Sequence, residues 1–264
     1  MRTDADAKAE RILPALFIKM FGDPATNPMG WEEVSLGKLI VDGPQNGLYK
    51  HASTYGDGTP ILRINSFYDG AIDESIELRR LKLADHEIKL YQLRENDIVI
   101  NRVNGSLEYV GKSALIPRLS EPTVFESNMM RFSVDTTKID PIYLICHLQT
   151  PAVRQQIISK AKHINQASIN QGDVKSLKIL LPPKHYQLNF ADNVKRMQKI
   201  ITSQQISRSK LENTFHSILQ RAFSGELTAK WREAHMKELL AEMEEQAKAL
   251  NLKDNKDSQQ LSLL

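Results

Sequence analysis

The sequence predicts an α+β fold, in which one globular domain with a mixed or antiparallel sheet is combined with long coiled-coil helices. Between residues 31 and 182, short strand-like apolar runs alternate with turns rich in glycine, asparagine and aspartate. Residues 187–222 form a stretch of 36 residues without glycine or proline. No regular alternation of strands and helices is visible, which excludes a Rossmann-like parallel sheet.

The composition is that of a folded protein with a substantial core. Of the 264 residues, 41% are hydrophobic and 25% are charged, and the formal net charge is +3. There is no run of eighteen apolar residues, and the polar first ten residues do not resemble a signal peptide. The lone Cys146 cannot form an internal disulfide, which agrees with a reducing compartment. We therefore expect a cytoplasmic protein without a membrane segment.

The first predicted element is an amphipathic helix within residues 5–21, where apolar residues recur at spacings of three and four. Pro14 is expected to kink this helix or to mark its proper start. Gly22 ends the helix, and proline-containing turns follow. We assign residues 1–30 to an N-terminal helix and a junction.

Residues 31–182 are assigned to the globular domain. Its strand-like runs begin near residues 60, 97, 113 and 129, and turn residues lie on both sides of each run. A helix is expected at 140–160, because Asp140-Pro141 is a favourable helix start. The double proline Pro182-Pro183 ends the domain.

Residues 183–228 are assigned to a long spacer helix, whose uninterrupted part would be roughly 54 Å long. Seven of nine heptad seam positions are apolar, and Gln204 and Arg208 interrupt them in the middle. A helix cannot bury such a stripe against itself, so it needs another helix. The apolar seam residues that we expect to pack are Val194, Met197, Ile201, Leu211, Phe215 and Ile218.

The spacer helix is expected to end at Gly225. Residues 229–264 are assigned to a glutamate-rich C-terminal helix at about 229–250 and a polar tail.

Motifs for nucleotide, metal or methyl-transfer chemistry do not stand out. There is no glycine-rich dinucleotide loop or P-loop, and the seven histidines lack paired ligand spacing. The segment 181–184 has the double proline of amino-methyltransferases, but Leu181 offers no acceptor for the target amino group and Lys184 no aromatic face. We expect no catalytic residues, metal or cofactor in this chain.

Two alternatives remain open. One is a coiled-coil scaffold whose globular domain binds protein. The other, which is less favoured, is a metal-dependent nuclease that uses the triplet Glu87-Ile88-Lys89 together with Asp73 and Asp85.

Positive charge is concentrated late in the globular domain. Residues 141–184 contain a single acidic side chain, Asp173. The basic side chains of this stretch are Arg154, Lys160, Lys162, Lys175, Lys178 and Lys184. Such a basic side can hold a phosphate backbone, or it can be a solvated lysine-rich surface.

Several segments form a series of blocks with a definite order and spacing. The segment LFIKMFGDP at 16–24 is followed by a block at 27–37, and further blocks lie at 60–65, 91–102, 104–114, 180–187 and 215–227. This series resembles the conserved blocks of the DNA-specificity (S) subunits of type I restriction–modification systems. By that resemblance, 16–37 is similar to the junction where a conserved helix ends and a target-recognition domain begins, and the later blocks are similar to strands of that domain and to the two ends of the conserved helix.

The resemblance covers about residues 10–228, with two departures. Asn96 stands where the family usually has glycine. The family also usually has two recognition domains and two long helices, whereas this chain has one domain and one full helix. The resemblance therefore implies a single-domain, half-subunit form.

A specificity subunit is non-catalytic, and the resemblance implies that this chain binds double-stranded DNA. It would direct methyltransferase (modification) and restriction/translocase subunits to a bipartite site. S-adenosylmethionine, ATP and Mg are then expected on those partner subunits. We expect a homodimer, in which the long helix packs antiparallel against its mate and identical readers bind a palindromic site.

Base reading requires side chains that offer paired donors and acceptors, such as arginine for guanine and asparagine or glutamine for adenine. Lysines are expected to contact phosphates. Asn104-Gly105 could instead be only a turn, and Asn170 could cap a short helix. The DNA-binding candidates are Arg63, Asn65, Arg102, Asn104, Ser106, Lys112, Lys160, Lys162, Asn165, Ser168, Asn170 and Gln171.

Overall fold

The structure is a computed structural model that describes residues 2–68, 70–73, 76–163 and 166–250. Its helices are α1 (Arg2–Phe21), α2 (Asp85–Tyr91), α3 (Pro141–Leu148), α4 (Pro151–Lys160), α5 (Gln171–Lys175), α6 (Lys184–Phe223), α7 (Ala229–Ala234) and α8 (Met236–Ala249). Its strands are β1 (Glu32–Ser35), β2 (Ile40–Asn46), β3 (Tyr55–Gly56), β4 (Thr59–Leu62), β5 (Phe67–Tyr68), β6 (Ala71–Ile72), β7 (Arg80–Leu81), β8 (Ile98–Asn101), β9 (Val103–Asn104), β10 (Ser113–Leu115), β11 (Val124–Phe125), β12 (Met129–Val134), β13 (Lys162–His163), β14 (Ala167–Ser168) and β15 (Lys178–Leu181).

The chain divides into two compact units, residues 1–199 and 200–264. The first unit contains the described strands, and the described part of the second is helical. The finer division at residues 30, 182 and 228 stays a prediction. None of the helices in the described residues combines the length and the hydropathy needed to cross a bilayer.

Antiparallel pairing dominates the first unit, as the sequence predicted. Its central sheet has the order β10-β8-β12-β2, with antiparallel pairs throughout. A second sheet, β11-β4-β7-β3, contains one parallel pair between β11 and β4. Short two- and three-stranded sheets, β1-β15, β13-β14-β9 and β5-β6, complete the unit. The α+β class with a mixed sheet is therefore confirmed.

A buried arginine ties three strands of the central sheet together. Arg131 on β12 donates to Asp42 on β2 at 2.9 Å and lies 3.5 Å from Asp97, which directly precedes β8. Its other terminal nitrogen donates to Gln45 at 2.8 Å. Since a buried guanidinium is tolerated only when charges and acceptors surround it, these partners fix the register of the sheet.

The turn before β8 explains one departure from the family pattern. Asn96 has φ of 69°, in the left-handed region that glycine adopts most easily. Asparagine is among the residues that best tolerate this conformation. The replacement of glycine therefore alters only the turn, and Asp97 still accepts from the backbone N–H of Arg94 at 2.8 Å.

An aromatic cluster joins three helices within the main hydrophobic core. Phe17 and Phe21 of α1, Tyr143 of α3 and Phe190 of α6 are buried, with ring centroids 4.8–6.4 Å apart. Tilted and edge-to-face rings of this kind add to the stabilisation from apolar burial. The end of α1 and the start of α6 are thereby fixed to the domain.

A buried glutamine makes hydrogen bonds to backbone groups on both sides of the junction at Pro182-Pro183. Gln187 on the first turn of α6 accepts from the backbone N–H of Asp140 at 2.8 Å and donates to the Pro182 carbonyl at 2.7 Å. Its amide also donates to the Lys138 carbonyl at 3.2 Å. These bonds satisfy a buried amide and hold α6 to the start of α3.

The prediction of a single helix at 140–160 was wrong. Asp140 caps α3 as expected, because its carboxylate accepts from the Ile142 and Tyr143 N–H groups at 2.8 and 3.2 Å. However, α3 ends at Leu148 and α4 begins at Pro151, with Thr150 extended between them. Proline disfavours a helical conformation in the residue before it, and this ends the first helix.

Two other helix predictions need adjustment. Pro14 does not mark the start of α1, because the helix already runs from Arg2. The C-terminal helix predicted at 229–250 is divided into α7 and α8 at His235. The predicted polar tail lies outside the described residues.

The long helix is confirmed: it runs from Lys184 to Phe223, within the assigned 183–228 and slightly beyond the uninterrupted stretch 187–222. Gly225 follows it with φ of 76°, as expected for a helix end. Val194 is buried in the domain core, so its apolar surface is already covered by its own chain. Beyond Val194 no apolar side chain in the described residues is buried. The seam is therefore half-buried at Met197 and Ile201 and exposed from Leu211 onward.

We predict that His147 makes the fold pH-dependent. Burial lowers the pKa of His147 to about 4 from its ordinary value of 6.5. The imidazole is therefore protonated near pH 6.5 in the unfolded chain but only near pH 4 in the folded chain. The contribution of the neutral His147 to the free energy of unfolding is present above pH 6.5 and is lost as the pH drops, by about 2 kcal/mol between pH 7 and pH 5.

Urea unfolding at the two pH values measures this loss. His147→Gln is the control, because its amide can still accept the 3.3 Å hydrogen bond from the Leu180 N–H but does not titrate. An equal pH dependence in both proteins would contradict the assignment.

Candidate nucleic-acid interface

The connection between β11 and β12, residues Glu126–Asn128, is the turn on which most candidate segments converge. Glu126 is buried, and both of its carboxylate oxygens accept hydrogen bonds. Oε2 accepts from Nε of Arg63 at 3.0 Å, and Oε1 from the backbone N–H of Ile64 at 2.7 Å. These bonds fix the Arg63–Ser66 turn, where Asn65 is exposed.

A second candidate loop is attached to the same turn through Arg102. Its Nη1 donates to the Ser127 carbonyl at 3.0 Å, and its backbone N–H donates to the Asn128 carbonyl at 2.8 Å. The buried Nε of Arg102 has no hydrogen-bond partner within the described residues. The loop that carries Asn104 and Ser106 therefore starts from a fixed point.

The third candidate segment joins this loop through strand pairing. In the β13-β14-β9 sheet, Ala167 pairs with Asn104 and Ser168 with Val103. The Ile169 N–H donates to the Arg102 carbonyl at 2.9 Å. Antiparallel pairing thus brings together two stretches that lie some sixty residues apart in the sequence.

Several candidate polar groups already make local hydrogen bonds. The Asn104 side chain accepts from the Ser106 N–H at 3.0 Å, and the Ser106 hydroxyl accepts from the Glu108 N–H at 3.3 Å. Asn170 caps α5, because its side chain accepts from the Asp173 N–H at 3.0 Å. Gln171 is exposed at the start of α5. The local bonds fix the loop shape, and Asn65 and Gln171 are exposed.

The remaining candidates lie around this region. Lys112 has its ammonium 4.7 Å from the centre of the Tyr109 ring, and Lys160 is the last residue of α4. Lys162 belongs to β13, although its side chain is not described, and Asn165 lies outside the described residues.

Arg154, Lys178 and Lys184, among the basic residues counted at 141–184, make contacts within the described part of the chain. Arg154 donates to the carbonyls of Leu107, at 2.9 Å, and of Glu108 and Val110. Lys178 pairs with Glu33 at 3.4 Å, and Lys184 donates to the Thr136 carbonyl at 2.7 Å. Arg154 therefore supports the loop that follows Ser106, and the basic count overstates the charge available to a ligand.

The loop Gly47–Lys50 is the part of this region that the sequence did not single out. The Leu48 N–H donates to the Phe125 carbonyl at 2.8 Å, and the Ser127 N–H donates to the Leu48 carbonyl at 2.9 Å. A Cβ on Gly47 would lie 2.1 Å from the Glu126 carbonyl oxygen, so only glycine allows this approach. The contact spans about eighty residues of sequence, and no local pattern could reveal it.

Glu87, the acid of the triplet in the nuclease alternative, makes an ion pair and a hydrogen bond within the domain. Glu87 lies 2.6 Å from Lys50 and accepts from the Ala84 N–H at 3.1 Å. The hydrogen bond to Lys50, with help from that N–H, lowers the pKa of the Glu87 carboxylate. Within the described residues, no three His, Cys, Asp or Glu side chains are grouped as a metal ligand set.

Residues 28–213 match the family model described as the type I restriction modification DNA specificity domain. The chain belongs to this family. The match extends from just before β1 into α6, and it confirms the family resemblance of the sequence blocks.

Individual relatives are similar over most of this specificity-domain chain. The EcoKI type I restriction enzyme specificity subunit of Escherichia coli K12 is 31% identical over 201 residues, which cover 73% of this chain and 42% of the relative. The StySPI specificity subunit of Salmonella potsdam is 32% identical over 212 residues, with 77% and 45% covered. The chain therefore spans less than half the length of these curated relatives.

A solved chain from a type I R-M system has the same fold. It superposes with a TM-score of 0.55 at 17% identity and covers 84% of this chain and 53% of that chain. The likeness concerns the fold alone.

We predict that Gly47→Ala destabilises the specificity domain by about 1–3 kcal/mol, because the added methyl group cannot fit against the Glu126–Asn128 turn. Gly105→Ala is the matched control, since a Cβ there meets no atom within 4 Å. We expect the control to change the free energy of unfolding by less than about 0.5 kcal/mol. Urea unfolding compares the two, and a Gly47→Ala protein as stable as the control would refute the steric argument.

Proposed function

We propose that the chain is a sequence-specific DNA-binding subunit of a type I restriction–modification complex. It would direct methyltransferase and restriction subunits to a bipartite site without performing chemistry itself. S-adenosylmethionine, ATP and Mg²⁺ would then be bound by those partner subunits. The observation that carries this proposal is the convergence of several loops on the Glu126–Asn128 turn in a domain of the DNA specificity family.

The arrangement suits base reading because the loops are fixed before DNA arrives. Arg63 and Arg102 are held by the turn, and the exposed amides of Asn65 and Gln171 lie on the segments attached to it. Arginine pairs with guanine, and asparagine or glutamine with adenine, through two hydrogen bonds each. A prearranged loop loses little conformational entropy on binding, which favours affinity.

Lysines around this region would bind phosphates. Lys112, Lys160 and Lys162 flank the reading loops along the chain, and phosphate contacts set the register of a protein on the duplex. Each such contact releases counterions, so binding should weaken steeply as salt rises. A coiled-coil scaffold with a protein-binding domain would show no such duplex binding.

We predict that Lys160→Ala makes the slope of log affinity against log salt concentration less negative by about 0.9, because one phosphate contact is lost. Fluorescence anisotropy of a labelled duplex over a salt series measures the slope. The duplex should carry the site found by mapping methylated adenines with and without this chain. Lys230→Ala, which removes the same charge from α7 in the second unit, should leave the slope unchanged. If the wild-type chain binds no duplex, the proposed DNA-binding function is wrong.

We further propose that two copies associate through α6. Leu211, Phe215 and Ile218 follow one another at spacings of four and three and are 70%, 62% and 47% exposed. Exposed apolar surface of this kind is stabilised when a second helix covers it. A pair of chains, each matching less than half of the curated relatives, would also supply two reading domains. Two identical readers related by two-fold symmetry would require a palindromic bipartite site.

The remaining exposed helix surface and the neighbouring face of the reading domain would be available to methyltransferase and restriction subunits. Met197 and Ile201 are half-buried and lie on α6 between Val194 and the exposed seam.

We predict that Phe215→Asp converts the dimer into a monomer, because a carboxylate would lie in the apolar seam. Light scattering after size exclusion should give about twice the 30.0 kDa chain mass for the wild type and one chain mass for the variant. Asn213→Asp adds the same charge on the same helix, outside the seam, and should remain dimeric. A wild-type mass of 30.0 kDa at all concentrations would exclude the dimer.

A further inference from the structure

Tyr49 exposes a large aromatic side chain beside the candidate interface. Its exposed fraction is 79%, whereas Tyr109 and Tyr186 are 46% and 42% exposed. Tyrosine combines an apolar ring with a hydroxyl group that can donate and accept, which suits it to contact both apolar and polar surfaces of a ligand.

Both chain neighbours of Tyr49 are anchored. Leu48 is only 6% exposed and belongs to an apolar cluster with Ile61 and Val124. Lys50 holds Glu87 of α2 through an ion pair of 2.6 Å. Because the residues on both sides are fixed, the backbone of Tyr49 loses little freedom when its ring meets a ligand.

The main chain next to Tyr49 contacts the turn that organises the DNA candidates. Leu48 exchanges backbone hydrogen bonds with Phe125 and Ser127, at 2.8 and 2.9 Å. Ser127 in turn accepts from the guanidinium of Arg102 at 3.0 Å. Tyr49 therefore follows Leu48, which is bonded to the same turn that holds the base-reading candidate Arg102.

We propose that Tyr49 is a DNA-contact residue, whose ring packs against a sugar or base edge of the half-site bound by this domain. The proposal rests on the proposed DNA-binding function and adds to it a contact that depends on the ring. Such a contact contributes affinity without releasing counterions. This property separates it from the lysine contacts.

The test uses the full chain and the labelled duplex with the mapped site, at several salt concentrations. Tyr49→Ala should weaken binding about tenfold at every concentration, with a salt slope equal to that of the wild type. Tyr49→Phe keeps the ring and should recover most of the affinity. Tyr186→Ala, which removes an exposed tyrosine from the start of α6, should bind as the wild type does.

Three results would overturn the role of Tyr49 while leaving DNA binding by the chain intact. The first is wild-type affinity in Tyr49→Ala. The second is a loss of affinity that appears together with a lower free energy of unfolding, which would indicate a structural role. The third is unchanged DNA binding with weakened association to methyltransferase subunits, which would assign the ring to a protein contact. If the wild-type chain itself binds no duplex, the proposed function fails, and the Tyr49 contact fails with it.

Discussion

The arrangement of the candidate interface depends on one buried carboxylate. Glu126 lies in a turn where its charge is removed from water, and this is tolerable only because Arg63 and the Ile64 N–H supply a charge and hydrogen bonds. The backbone of the same turn holds Arg102 and the loop at Gly47. The carboxylate thus fixes the Arg63 segment, and the backbone of the same turn fixes the segments at Leu48 and Arg102.

A second constraint connects this interface to the helix. The aromatic cluster of Phe17, Phe21, Tyr143 and Phe190 buries the start of α6, and Gln187 closes the junction with hydrogen bonds to backbone groups on both sides. The helix therefore leaves the domain from a fixed base. Its apolar seam is buried at Val194, half-buried at Met197 and Ile201, and exposed at Leu211, Phe215 and Ile218.

The candidate site shows why a list of polar residues is not yet an interface. Arg154 was counted among the basic side chains, but it holds three loop carbonyls, and Asn170 serves as a helix cap. Conversely, Tyr49 carries no sequence signal, because one tyrosine between a leucine and a lysine has no periodicity to interpret. Asn170 is occupied by a local cap that the sequence already allowed, whereas the partners of Arg154 lie more than forty residues away in the sequence.

The sequence by itself determined the α+β class, the long helix and the family, because these depend on local periodicity, on turn residues and on the order of conserved blocks. It also located the segments that carry the DNA candidates. Tertiary structure alone decided that the segments near Gly47, Arg63, Arg102 and Ser168 meet, and that one predicted helix is two. Long-range strand pairing and the burial of Glu126 bring those segments together, and such contacts leave no trace in the pattern of any single segment.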